Sequence, residues 1–136
     1  MHGDNTPVRL SSGLRAIMWG TAAVNLVVGA LFLLDPELGL APWPAPISPV
    51  LVRFVGAIIL GNAAGAAVVA AQGTWEGARA LFVVALVYGL VALVAVPAQL
   101  AGAGGPRSLW IYVTVVAIFL GPIAAVMWRY ERRSRA

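Results

Sequence analysis

The chain has no cysteine and no lysine, a single histidine at position 2, and only five acidic residues among 136. Without cysteine it can form neither a disulfide nor a thiolate metal site. With one histidine, ligation of a haem by two imidazoles inside the protein is excluded. Charged residues make up 10% of the chain, against about 25% in an ordinary soluble domain. The few that exist avoid four long stretches, Ala16 to Leu34, Phe54 to Trp75, Ala80 to Leu100 and Ser108 to Trp128. An ionised group inside such a stretch is the usual mark of a proton relay or ion path, so its absence argues against proton-coupled transport. No nucleophile, base and orienting group come together anywhere, and no catalytic residues, cofactor or metal site are expected.

What remains is hydrophobic, at 61% of residues. A soluble fold of this size could not cover such a core, whereas each charge-free stretch has the roughly 20 residues that a helix needs to cross bilayer hydrocarbon. The alternating polarity of a membrane β-strand is absent. Although Arg9 and Arg15 precede the first stretch, it is too long for a secretory signal and runs into Asp35-Pro36-Glu37 with no small-residue cleavage site, so it reads as a retained helix. The sequence therefore predicts an all-α integral membrane protein, an antiparallel four-helix bundle in one transmembrane domain. Its helices are expected at about 14–34, 50–73, 78–100 and 108–129, between an N-terminal tail (1–12) and a basic C-terminal tail (130–136).

Orientation follows from arginine. Four crossings place both termini on one side, together with the turn between the second and third spans. That side holds Arg9, Arg15, Arg79, Arg129, Arg132, Arg133 and Arg135, while the other holds Arg53 and Arg107. The positive-inside rule puts the arginine-rich side in the cytoplasm. The exclusive use of arginine is associated with GC-rich bacterial genomes, and hence with the bacterial inner membrane. Trp19, Trp75, Trp110 and Trp128 fall near the span ends, at headgroup level. The connection "DPELGLAPWPAPISP" carries Pro36, Pro42, Pro44, Pro46, Pro49 and Trp43, and is expected to be a stiff, largely extended segment, either a linker or a lid.

Small residues four apart let helices approach closely. Ala57, Gly61 and Gly65 form one such ridge, and Ala117, Gly121 and Ala125 another. Asn25 and Asn62 fall near mid-bilayer, where their amides could bond each other, Thr21, Tyr88 or Thr114. Interhelical hydrogen bonding is one reading of Asn25, Asn62, Tyr88 and Thr114; a site orienting one small apolar ligand is the other. Arg53 could snorkel or pair with Asp35 or Glu37 at the outer interface. Pro97 and Pro122 should soften or kink the last two spans. In the tail, Arg129, Arg132, Arg133 and Arg135 are candidate lipid anchors.

Over about residues 13 to 100, and through "GALFLLDPELG" closing the first helix and "RFVGAIILGNAAG" opening the second, the chain resembles DoxX-like proteins and related bacterial four-helix membrane families. The resemblance implies an antiparallel four-helix bundle that serves as a membrane subunit of a larger assembly, and it supplies no catalytic residues. The expected partners are the lipid bilayer and either further copies of the chain or another membrane protein, with no nucleic acid. The alternative is a binding or transport protein for a lipid, quinone or pigment.

Overall fold

The computed structural model describes residues 7–40, 48–103 and 109–134. The expected all-α architecture is present: four long helices, α1 (Ser12–Leu34), α3 (Pro49–Gln72), α4 (Trp75–Ala103) and α5 (Leu109–Ser134), with a single turn of helix, α2 (Pro36–Leu40), between the first two. Each long helix is long and apolar enough to cross a membrane, which makes this a multi-pass membrane protein. The expected bounds lie within a few residues of those observed. The largest difference is at the end of α5, which runs on through the basic tail to Ser134.

Local chemistry sets the ends. Ser11 caps α1 by accepting the Leu14 N–H at 3.3 Å. Ser48 does the same for α3 through Leu51 at 3.3 Å, with Pro49 in the first turn, where its missing N–H costs nothing. The proline-rich connection does not begin as an extended segment. Asp35 accepts the Leu38 N–H at 3.0 Å, and Pro36 opens the turn that becomes α2. Trp43, Pro42, Pro44 and Pro46 lie outside the described residues. Gly73 ends α3 in the left-handed conformation, φ 63°, which frees its N–H to bond the Val69 carbonyl. α4 continues through Pro97 and α5 through Pro122.

The chain divides into two compact units. The first, Arg9 to Thr74, pairs α1 with α3. The buried positions of α1 are Leu14, Met18, Ala22 and Gly29; those of α3 include Val52, Gly56, Ala63, Ala66 and Ala70. Both sets recur every three to four residues and form one stripe per helix. The helices are antiparallel and approach closely at a glycine pair. A Cβ on Gly56 would lie 2.9 Å from Phe32 Cβ and 3.0 Å from the Gly29 carbonyl oxygen, and one on Gly29 would lie 3.0 Å from the Gly56 carbonyl oxygen. At the other end, Arg15 Nε donates to the Ala70 carbonyl at 3.0 Å, placing a cation on the carbonyl end of α3.

The second unit, Trp75 onward together with Val8, pairs α4 with α5. Trp75, Ala78, Phe82 and Gly89 form the buried stripe of α4. Trp75 is 1% exposed and stacks on Tyr130, with ring centroids 5.1 Å apart at 20°, while Phe82 tilts against it at 5.7 Å. Leu120 fits the notch that Gly89 leaves, since a Cβ there would meet Leu120 Cδ2 at 2.5 Å. An N-terminal strap finishes the connection between α3 and α4. Leu10 N–H donates to the Gly73 carbonyl (2.9 Å), Trp75 N–H to the Val8 carbonyl (2.8 Å) and Val8 N–H to Glu76 Oε1 (3.3 Å), with an isolated antiparallel bridge between Arg9 and Thr74.

Candidate functional site

Of the residues expected to meet around a ligand, Asn25 is half-buried on the α1 stripe, between the levels of Ala22 and Gly29, and Asn62 is exposed on α3. The two amides do not bond each other, and among the described residues neither side chain makes a hydrogen bond. In the second unit the Tyr88 hydroxyl lies 3.3 Å from that of Tyr112, a partner that the spacing of residues did not suggest. Thr114 is exposed and donates to its own helix, at the Trp110 carbonyl 2.9 Å away. This is the back-bonding available to any threonine in a helix, so it shows no ligand. The structure brings Tyr88 to Tyr112 but joins neither Asn25 to Asn62 nor Tyr88 to Thr114. A shallow apolar hollow on α4, lined by Leu90, Val91, Val94 and Ala95, lies just beyond Tyr88 in the sequence.

The small-residue ridges do not do what the sequence suggested inside the units. Within the first unit, α3 meets α1 through Gly56, Ala63, Ala66 and Ala70, whereas Ala57 and Gly61 are exposed and Gly65 is half-buried. A Cβ on Gly61 would have nothing within 4 Å. The reason is register: at 100° per residue, Gly56 and Ala57 cannot face one partner equally, and Gly29 selects Gly56. In the second unit Ala117, Gly121 and Ala125 are likewise exposed, with open space above Gly121. There α5 turns Leu120 and Tyr130 to α4 instead.

The outer ion pair is also corrected. Asp35 is engaged as the cap of α2, and neither it nor Glu37 pairs with Arg53, which is exposed. The ion pair among the described residues is Arg79 Nε to Glu131 Oε1, at 2.6 Å. It joins the start of α4 to the end of α5 and so crosses a long sequence separation that no local pattern reveals. Of the tail arginines, Arg132 lies over the Trp128 ring with its Cζ 3.9 Å from the centroid, and Arg133 lies 5.8 Å from that of Tyr130. Arg129 is exposed, and Arg135 lies outside the described residues.

No group of three or more histidine or carboxylate side chains among the described residues could hold a metal ion. The arrangement offers exposed helix faces, an aromatic and arginine-rich helix end, and one tyrosine pair. Comparison with protein-family models, with curated proteins and with solved structures finds no match.

Proposed function

We propose that this protein is a non-catalytic accessory or scaffolding subunit of a membrane assembly, docking through helix faces rather than transforming a substrate. The observation that carries this reading is the exposed edge of α3. Ala57 and Gly61 are turned away from α1, and open space stands above Gly61. In lipid, small residues at four-residue spacing gain van der Waals contact when another helix lies against them, since two backbones can then approach closely. The close packing of α1 on α3 is already provided by Gly29 and Gly56, so the second ridge is surplus to the hairpin. The partner is another membrane protein or a second copy of the chain. The resemblance of "GALFLLDPELG" and "RFVGAIILGNAAG" to DoxX-like proteins accords with a subunit role.

The proposed location is the bacterial inner membrane, with both termini in the cytoplasm, supported by the arginine distribution. Protease added to intact cells should then leave a C-terminal epitope undigested, and digestion would overturn the orientation. The alternative role, carriage of a small apolar molecule, loses support because within the first unit Asn25 does not bond Asn62, and within the second Tyr88 meets Tyr112 rather than Thr114.

Purification in mild detergent, followed by size analysis and mass spectrometry, tests the docking reading. Co-purification of a defined partner, or a stable homo-oligomer, is the expected result. Gly61→Leu should release the partner while leaving the α1–α3 hairpin folded. A lone monomer, or an assembly indifferent to Gly61→Leu, would remove this face from the account.

A further inference from the structure

The last two turns of α5 are more sharply divided than the arginine content alone implies. At 100° per residue, Trp128, Arg132, Arg129 and Arg133 follow one another around the helix within a sector of about 140°, while Tyr130 and Glu131 fall on the opposite side. Exposure follows the same division. The first four are exposed, Tyr130 is buried against Trp75, and Glu131 is half-buried and faces Arg79. Glu131 is the only acid in α5, and it points away from the basic face. Arg79 is thus taken up by a carboxylate, whereas Arg129, Arg132 and Arg133 have none among the described residues.

From this geometry we propose that the C-terminal face of α5 binds the phosphate headgroups of anionic phospholipids, with Arg129 and Arg132 as the principal ligands and Trp128 holding Arg132 in place. Stacking a guanidinium 3.9 Å above an indole restricts it to a plane parallel to the ring and leaves its N–H edges free. Those edges match two oxygens of a phosphate, which an ammonium group cannot do. Arg129, one turn before Arg133 and three residues before Arg132, adds a second donor fork to the same sector.

Position along the helix selects a lipid as the occupant. α5 has 26 residues and therefore rises about 39 Å, so the roughly 20 residues that fill hydrocarbon leave its last turns at headgroup depth. Trp110 and Trp128 are both exposed and are separated by about 27 Å of rise, close to the thickness of the hydrocarbon layer. Directly below the basic sector the exposed face turns apolar, with Ala125, Gly121 and Ile118. A ligand whose phosphate sits on Arg132 and whose remainder is hydrocarbon matches both parts of this surface. A water-soluble polyanion matches only the upper one.

The test counts lipids retained by the purified full chain. Protein in a zwitterionic detergent is mixed with equal amounts of phosphatidylglycerol and phosphatidylcholine, and bound lipid is read by native mass spectrometry. Phosphatidylglycerol should be retained in preference, with an affinity that falls as salt is raised. Arg129→Gln with Arg132→Gln should weaken it about 25-fold, at roughly fivefold per arginine, and Arg132→Gln alone should show the single step. Arg53→Gln, which removes an exposed arginine elsewhere in the chain that makes no ion pair among the described residues, should change nothing. A large excess of inorganic phosphate should leave the lipid in place. Equal retention of the two lipids would overturn the proposal, as would an undiminished affinity in either α5 variant, an equal loss in Arg53→Gln, or displacement by phosphate alone.

Discussion

Replacing Gly56 with alanine tests the α1–α3 crossing with a single methyl group. The added Cβ would stand 2.9 Å from Phe32 Cβ, 3.0 Å from the Gly29 carbonyl oxygen and 3.2 Å from the Leu33 backbone nitrogen. Carbon atoms in contact prefer about 3.5–4.0 Å, so the helices must part by roughly 0.5–1 Å. Two of the three obstructing atoms belong to the backbone of α1, and no rotamer change moves them. Overpacking of this kind costs about 1–3 kcal/mol. Against it stands the helix-propensity advantage of alanine over glycine, at most about 1 kcal/mol. With the full propensity offset the balance is a destabilisation of roughly 0–2 kcal/mol. Gly20→Ala provides the reference, because that position is on α1, exposed, and has nothing within 4 Å of a new Cβ. It should keep the propensity gain and lose nothing. Unfolding by sodium dodecyl sulfate in mixed micelles, followed by far-UV circular dichroism, measures both variants on one scale. If Gly56→Ala unfolds at the same mole fraction of dodecyl sulfate as Gly20→Ala, the close crossing of Gly29 and Gly56 is not a constraint and the reasoning fails.

Other outcomes are expected from the same titration. Trp75→Ala removes the centre of the α4–α5 contact and should cost about 3–5 kcal/mol. Trp75→Phe should cost much less, because the buried indole N–H has no hydrogen-bond partner to lose; an equal loss would reveal a bond at that nitrogen. Gly73→Ala places a side chain at φ 63° and should cost about 1–2 kcal/mol, with Gly73→Asn losing less; alanine as stable as glycine would mean that the turn relaxes. Asn25→Leu and Asn62→Leu should be neutral or stabilising, since neither amide has a bond to give up, and a loss above about 1 kcal/mol would show that the amides find partners in the membrane.

The four spans were legible because charge is excluded from each over its whole length, as between Ala16 and Leu34, and no other element imposes that pattern. The cap at Ser48-Pro49 was not read, because its proline was counted with the connection before it. Choosing between neighbouring ridges was a different problem. Gly56 and Ala57 are adjacent small residues on α3, and which of them packs against α1 depends on Gly29, a residue of another helix. The same limit applies to the Trp75–Tyr130 stack and the Arg79–Glu131 pair, whose members are far apart in sequence and carry no periodic signal. Arg53 illustrates competition: Asp35 had two uses, and the nearer one, an N–H three residues along its own chain, is the one realised. For the candidate ligand residues, polarity and depth were readable, but the direction each side chain takes around its helix was not.

The strap from Val8 to Leu10 constrains how the chain can be threaded. Its hydrogen bonds to Gly73, Trp75 and Glu76 require the segments before α1 and after α3 to end on one face of the bilayer, whichever face that is. The intervening residues must therefore make an even number of passages, and neither α1 nor α3 can fail to insert by itself without breaking the strap. Because residue 8 leaves the ribosome long before residue 75, the bond between them cannot close until α3 has been synthesised. It acts as a late seal on a completed excursion.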